Sequence, residues 1–571
     1  MRIIFKHEIK SGQKITESKL IDILLKNRKI KDIDEFLKPK DPAKIHLTDF
    51  GYKRELAKTL KLLGEIKKEN KMIVVYTDYD ADGITGGAIL WETLHLLGFK
   101  VMPYVPHRKL EGYGFSRKGI DNVKKQYDPA LIISVDHGIT AREKVTYAKK
   151  LGIPIIITDH HLKPEKIPDD AAAIFHIPLL SGSGVAYFFA KAIFEHFKSK
   201  HLTSNISRLT SHFNSDYLCL ASIGTIADLV PLIGPSRSIV NSGLECFPKM
   251  TRVGIKHILK ESHIDGKKIT PYEIGFIIAP RINAVGRLEH AIDALRLLCT
   301  TNDGKAYTLA SKVGDKNRER QRLVEKALEQ AKEMLKKQSS NFKHIPRIII
   351  IKNANFHEGI IGLIASKIAE EFYRPTIILT ESDDVLKGSA RSIVGFHITN
   401  FLRDNKKFLI DVGGHTGAAG FTMKKDKYTN FVTAVIKMAN KLLKEKDLER
   451  KMEVDMKIPL SFINIQLALK LEKLEPFGVG NPRPSFSSEV EVMQVSTFGK
   501  TKDHIKMYVK DATQPFPFEL ISFYSAKKMN GLTKGQKIQV VYNLEVDRWG
   551  GSEKLRGRII HLNYVGYEDQ P

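Results

Sequence analysis

"VVYTDYDADGITGGA", Val74 to Ala88, places three carboxylates, Asp78, Asp80 and Asp82, within five residues at the end of an apolar, β-branched run. Like charges this close repel, and the repulsion is relieved by a cation among them or by water around each. Taken alone, the stretch suits a metal-binding loop and a solvated Asp-rich turn equally. Its surroundings separate the two. From about Lys71 to Leu232 short apolar runs alternate with helical patterns: the strand "KMIVVY", the helix "ITGGAILWETLHLLG" closed by Gly98, the strand "ALIISVD", a helix through "AREKVTYAKKLG", and the strand "IPIIITDHH". This rhythm predicts an α/β fold with a doubly wound parallel sheet, in which ligands gather at the carboxyl ends of strands.

The ionisable groups fall at those ends. Asp136 follows the second strand in "SVDHG", Asp159, His160 and His161 follow the third in "TDHH", and Asp228 interrupts the apolar "ASIGTIADLVPL". Carboxylates combined with imidazole nitrogen suit a divalent metal, and the mixed donors favour Mn²⁺ over an all-oxygen Mg²⁺ or Ca²⁺ site. A carboxylate shared by two ions about 3.5–4 Å apart is the two-metal arrangement of phosphoesterases. Recurrence at successive strand ends favours the metal site over the solvated turn.

The chain has 571 residues, enough for two to four domains. Lys and Arg number 91 against 65 acidic residues, a formal charge of +26 that attracts polyanions, nucleic acid first. The three cysteines, Cys219, Cys246 and Cys299, are far apart and form no CxxC pair, so neither a disulfide framework nor a zinc ribbon is expected. No run approaches the length of a membrane span, and the N-terminal apolar run is broken by charges too early for a secretory signal; a cytoplasmic protein is expected.

Five segments are expected. Residues 1–65 read as a helical N-terminal segment and 66–305 as the catalytic α/β domain. Residues 306–342, which include "DKNRERQRLVEKALEQAKEMLKKQSS", read as a long exposed helix joining two lobes. A second α/β unit spans 343–450, and in 451–571 alternating runs such as "QKIQVVYNLEVDRW" suggest a small antiparallel barrel. Barrels of this kind bind single strands with a basic groove and stacking aromatics. Phe498, Tyr508 and Trp549 are candidates, as are Lys500, Lys502 and Lys506, and each reads equally well as core or solvated face.

"DYDADG", "SVDHG", "TDHH" and "IADLVP" resemble the motif series of the DHH phosphoesterases, named for Asp-His-His. "PRINAVGRL", "FHEGIIGLIASKIAEEFYRP", "GSARSIVGF", "VGGHTGAAGF" and "LEPFGVGNPRPSF" narrow the resemblance to the bacterial members that degrade single-stranded DNA from the 5′ end, over most of the chain from Phe36 onward. The resemblance implies a DHH catalytic domain, a DHH-associated substrate-binding domain after the connecting helix, and a C-terminal OB fold. It implies Asp80, Asp82, Asp136, His160 and Asp228 as ligands of two Mn²⁺ or Mg²⁺ ions, with Asp136 bridging and Asp78 as a further ligand or hydrogen-bonding neighbour. Asp136, His160 and His161 form the catalytic set; His161 faces the scissile phosphate and Asp159 orients a histidine. Some relatives carry a histidine where this chain has Tyr76, which leaves one ion with fewer protein ligands.

Arginine forks match phosphate oxygens, so Arg281 and Arg287, with Asn283, are candidate phosphate contacts, and the resemblance puts them on the substrate's 5′ side. In the second lobe the candidates are His357, Ser389, Arg391, Ser392, Gly414 and His415, while Ala390 stands where relatives carry glycine. "HEGII" is not a zinc-protease helix, because Ile361 occupies the second histidine's place. The function implied is metal-dependent 5′→3′ exonucleolysis of single-stranded DNA to 5′-mononucleotides in recombination and repair, by a monomer with a single-strand-binding protein and a helicase as partners. The alternatives are a phosphodiesterase for short oligonucleotides or cyclic dinucleotides, and a non-catalytic single-strand-binding scaffold.

Overall fold

The computed structural model describes residues 1–9, 15–198, 203–514, 516–529, 531–548 and 551–564. The chain forms two compact units. One contains His46–Asp228 and Cys246–Arg450; the other gathers Met1–Ile45, Leu229–Glu245 and Lys451–Pro571.

In the first unit, strands β1 (Ile73–Thr77), β2 (Val101–Tyr104), β3 (Leu131–Val135), β4 (Ile155–Asp159) and β5 (Ala173–His176) form an all-parallel sheet in the order β2-β1-β3-β4-β5. Every residue of β1, β3 and β4 is buried, as expected of strands covered on both faces. Strand order reverses direction at β1, so the loops leaving β1 and β3 part to opposite sides and open a crevice between them. Helix α1 (Ala81–Leu96) follows β1. It packs very closely because Gly87 faces Thr77; a Cβ there would lie 2.2 Å from the threonine methyl. Helices α2 (Gly182–Phe197), α3 (Asp216–Ala227) and α4 (Ala279–Leu288) pack against α1.

Helix α5 (Asp303–Gln338) begins at the Asn302 cap, whose side chain accepts from the Lys305 amide. It is less exposed than its charge suggested. Ala306, Ala310, Val313, Asn317, Val324, Ala327, Ala331 and Leu335 form a buried stripe at helical spacing. Small side chains let neighbouring helices approach, and the charged residues occupy the other face.

The second α/β element of this unit has strands β6 (Ile349–Lys352), β7 (Thr376–Ser382), β8 (Val385–Arg391), β9 (Leu409–Gly414) and β10 (Ala418–Lys424), ordered β9-β10-β8-β7-β6, with helix α6 (Ile361–Phe372) between β6 and β7. Only β6 and β7 pair in parallel.

The other unit is built on a closed five-stranded barrel of β11 (Phe486–Phe498), β12 (His504–Lys510), β13 (Phe518–Ser522), β14 (Lys537–Asp547) and β15 (Lys554–Tyr564). Closure depends on β11. Its first half pairs with β14 and its second half with β12, with a register shift between Val492 and Gln494. The pairing of β13 with β15 is parallel, an exception to the expected antiparallel order. The N-terminal segment also differs from the expectation. Arg2–Phe5 is a strand paired in parallel with Lys451–Val454, and the helix Glu17–Asn27 packs into the barrel unit's core through Leu20, Leu24 and Leu25. The short run "RIIF" has its backbone satisfied by a strand distant in sequence, which no local pattern announces. Residues 46–65 belong instead to the first unit. Among the described residues, no helix is long and apolar enough to cross a membrane.

Candidate metal centre and phosphate pocket

Asp78 lies just past β1 and Asp136 just past β3. The Asp78 amide donates to the Val135 carbonyl and the Asp136 amide to that of Thr158, so the ladder holds both side chains at the crevice. Asp80 caps α1, its Oδ1 accepting from the Asp82 and Gly83 amides at 3.0 Å each. Asp82 accepts from the Gly182 amide (2.6 Å) and the Ser183 amide (2.9 Å) at the N-terminus of α2, where the helix dipole favours negative charge. Asp228 follows α3 and is partly exposed.

His160 joins these groups. Its Nε2 lies 3.1 Å from Asp136 Oδ1, 3.4 Å from Asp228 Oδ2 and 3.9 Å from Asp82 Oδ2. Asp136 Oδ1 and His160 Nε2 are both buried without a hydrogen-bond partner. Three ligand groups can be formed with donor atoms within 4.8 Å of one another: Asp78–Asp80–Asp136, Asp82–His160–Asp228 and Asp136–His160–His161. Asp136 and His160 each enter two of them. Burial, and then the charge of neighbouring carboxylates, raises the carboxyls of Asp78, Asp80 and Asp136, and lifts that of Asp228 to about 8. Burial also lowers His160. Orphaned donor atoms and mutually repelling buried carboxylates fit divalent cations, and the oxygen-rich set with one imidazole fits Mn²⁺ or Mg²⁺.

The backbone around the centre is specialised. Asp136 has φ of 68°, a left-handed conformation unusual for a residue with a side chain. A Cβ on Gly182 would lie 2.3 Å from that of Asp136, and one on Gly224 would lie 2.3 Å from Asp82 Oδ1. Gly182, Ser183 and Gly224 were not singled out from the sequence; the only signal was the "SGSG" run, which reads as a turn.

His161 faces a different neighbour. Its Nδ1 lies 2.8 Å from Asp159 Oδ1 and its Nε2 3.1 Å from the Tyr113 hydroxyl. Burial opposes the charged ring, but the hydrogen bond and charge of Asp159 outweigh it and raise His161 to about 9. Asp159 is in turn held well below the usual carboxylate range, because its bonds to His161 and to the Ile139 and His161 amides overcome burial. The His415 ring stacks on His161 at 6.1 Å and 17°. Tyr76 supplies nothing to the centre. It is fully buried, its hydroxyl donates to the Gly114 carbonyl, and its ring packs on Tyr104, Phe115 and His137.

The "PRINAVGR" residues divide. Asn283 Oδ1 accepts from the Ala81 amide at 2.8 Å, which secures the first turn of α1 rather than leaving that oxygen for a ligand. Arg281 points elsewhere, with Nε donating to Glu261 (2.7 Å) and Nη1 to the Ile277 carbonyl. Arg287 lines a cavity of about 330 Å³ with His107, Arg108, His357 and Gly359. Burial, then repulsion from Arg108, Arg320 and Arg391, lowers its guanidinium to about 10. Arg108, missed in the sequence, stacks over Tyr79 at 5.2 Å.

Arg391 is held by Ser366 Oγ (3.0 Å) and Ser389 Oγ (3.1 Å), and burial followed by Arg108 lowers its guanidinium too. Convergent arginines that repel one another make an anion site. His357 accepts from the Gly359 amide at the cavity wall. Ser392 donates to the Phe396 carbonyl and so serves its own loop. Gly414, with φ of 145°, allows close approach of β10, where a Cβ would meet the Ala418 carbonyl at 2.2 Å. Ala390 is fully buried in β8, paired with Ala419. In the barrel, Phe498 packs with His504 and Phe523, and the Tyr508 hydroxyl donates to Glu519. Trp549 lies outside the described residues.

Family models match in the order of the fold: the DHH family N-terminal domain over residues 72–222, the DHHA1 domain over 346–445 and the RecJ OB domain over 454–561. The single-stranded-DNA-specific exonuclease RecJ of Bacillus subtilis is 33% identical over 85% of this chain, which spans 60% of that relative's length. The crystal structure of RecJ with Mn²⁺ from Thermus thermophilus superposes with a TM-score of 0.80 at 26% identity, covering 99% of this chain and 80% of that one. A solved exonuclease RecJ bound to manganese is 32% identical, with a TM-score of 0.57, covering 68% of this chain and 95% of its own. With all three domains matched in order along the sequence, the chain belongs to the RecJ family of DHH phosphoesterases.

Proposed function

We propose that this protein is a metal-dependent exonuclease that hydrolyses single-stranded DNA from its 5′ end and releases 5′-mononucleotides in recombination and repair. The observation that carries the reading is the meeting of Asp136 Oδ1 and His160 Nε2, buried, unpartnered and 3.1 Å apart, among the carboxylates of Asp78, Asp80, Asp82 and Asp228. These residues would hold the cations, with Asp136 contributing to both. Bound there, two divalent ions supply an acidified water and charge neutralisation at the phosphate.

The chain's own groups account for the rest. His161, oriented by its bond to Asp159, faces the same space and would donate to a phosphate oxygen as charge builds on it. Asp82 accepts from two amides of α2, which fix the direction in which its carboxylate faces the centre. Arg108, Arg287 and Arg391 would hold the 5′-terminal phosphate at a set distance from the metals, which makes the 5′ end the point of entry. The relatives named for single-stranded DNA support the substrate class, and the formal charge of +26 suits a polyanion.

Degradation of 5′- and 3′-labelled single strands and duplexes with Mn²⁺, Mg²⁺ or chelator tests the reading. The 5′ label should leave as a mononucleotide from single strands only, and chelator should stop it. Loss of the 3′ label first, or preference for dinucleotides over long strands, would contradict it.

A further inference from the structure

The helix that carries Arg287 has a second functional end. Pro271–Glu273, a π-helical turn Ile274–Ile278 and α4 run on without a break. Ile274 and Ile278 turn into the core, whereas Tyr272 and Phe276 are 60% and 71% exposed. Their rings stack at 4.9 Å and 30°. Two large rings ordered against each other yet open to water present an aromatic face with no protein cover.

The π-helical turn that carries Phe276 packs against α3, the helix that ends at Asp228. Gly275 packs against Ile226, two residues before Asp228, so that a Cβ there would sit 3.7 Å from the isoleucine methyl. Farther along the rod, Asn283 caps α1 at Ala81, Gly286 abuts the Tyr79 carbonyl, and Arg287 enters the arginine cavity. The ligand loop is thus flanked by Arg287 at one end of the rod and the aromatics at the other, with Phe276 about 16 Å and Tyr272 about 22 Å from Arg287 at the rise of a helix. Arg320 adds positive charge along the rod, its Nε buried without a partner. π-Helical turns recur at functional sites, which agrees with this placement.

We propose that Tyr272 and Phe276 form a stacking platform for bases of the single strand on the 3′ side of the scissile phosphate. The proposal rests on the exonuclease reading for its polarity: with the 5′ phosphate among the arginines, the downstream strand leaves past the opposite end of the rod. Every base has a π-face, so such a platform is indifferent to sequence, and losing it weakens binding by about tenfold.

The test compares the full chain with Tyr272→Ala/Phe276→Ala on a 5′-phosphorylated 12-mer and a 5′-phosphorylated dinucleotide. KM for the 12-mer should rise about tenfold more than KM for the dinucleotide, and Tyr272→Phe/Phe276→Tyr should restore it. In chelator, 2-aminopurine placed singly along the 12-mer should be quenched at one or two positions downstream of the 5′ end, and the alanine pair should abolish that quenching. Equal losses on both substrates, no loss on either, or quenching that survives the substitutions would overturn the platform. If the wild type cleaves neither substrate, the exonuclease reading fails while the fluorescence arm still decides whether bases stack here.

Discussion

Arg287 and Arg281 sit six positions apart in one motif, yet the fold gives them different tasks. Arg287 lines the cavity with Arg108 and lies within electrostatic reach of Arg391, and Arg281 is taken up by Glu261 and a backbone carbonyl. Arg287→Ala should therefore lower kcat/KM on 5′-phosphorylated single strands by roughly 30-fold, the loss of a charge-assisted contact, and affect 5′-hydroxyl strands little. Arg281→Ala should affect both substrates alike, through the helix pair it ties. Side-by-side kinetics on the two substrates checks this; selective loss in Arg281→Ala would reverse the assignment. Asp78, Asp136, Asp159, His160 and His161 were legible because they fall at strand ends, a position that sequence pattern exposes; Asp80 and Asp82 follow directly in the first turn of α1, and Asp228, which closes α3, showed as a carboxylate interrupting an apolar run. Arg108 was not, since "PHRKLEGYG" has no periodicity and joins the cavity only through the folded chain.

Elements position these groups, and α3 shows how. Its far end presents Asp228, while Asp216 in its first turn is fully buried and accepts from the Thr251 amide (2.9 Å) and hydroxyl (2.7 Å), with His212 Nδ1 at 3.2 Å. Burial raises the Asp216 carboxyl, but these bonds from His212 and Thr251 prevail and bring it down to about 2. A carboxylate depressed in the folded state stabilises it above the unfolded value near 4, and that contribution is lost as pH falls from about 4 toward 2. Asp216→Asn should cost roughly 2 kcal/mol at pH 7 and progressively less below pH 4. Hydrogen exchange of α3 across that range measures it; an undiminished difference at pH 2 would remove Asp216 as the cause. The main strands and helices of the first sheet were legible from their apolar runs. Strand β2 was not, because its four residues include Pro103, tolerated only because the strand lies at the sheet edge.

At the scale of the whole molecule, the barrel unit is assembled from three separate stretches of chain, and Arg237 ties them. Fully buried, its guanidinium donates to the carbonyls of Phe36, Leu474, Glu475 and Pro476 and lies over the Phe36 ring at 3.9 Å. Arg237→Leu removes the guanidinium donor from four carbonyls, of which those of Leu474 and Pro476 keep Asn481 Nδ2, so hydrogen-exchange protection of the barrel strands should fall by about a hundredfold. Unchanged protection would show that the three segments hold together without it. This interleaving is what the linear reading of five successive segments lacked: a lone arginine in "GPSRS" carries no local sign that it will bridge residues 200 positions away on either side. The central claim concerns the centre where β1, β3 and β4 end, and anomalous diffraction from crystals soaked in Mn²⁺ tests it most directly. Two peaks should appear among Asp78, Asp80, Asp82, Asp136, His160 and Asp228, and both should weaken in Asp136→Ala. A map with manganese elsewhere and none among these side chains would contradict the account.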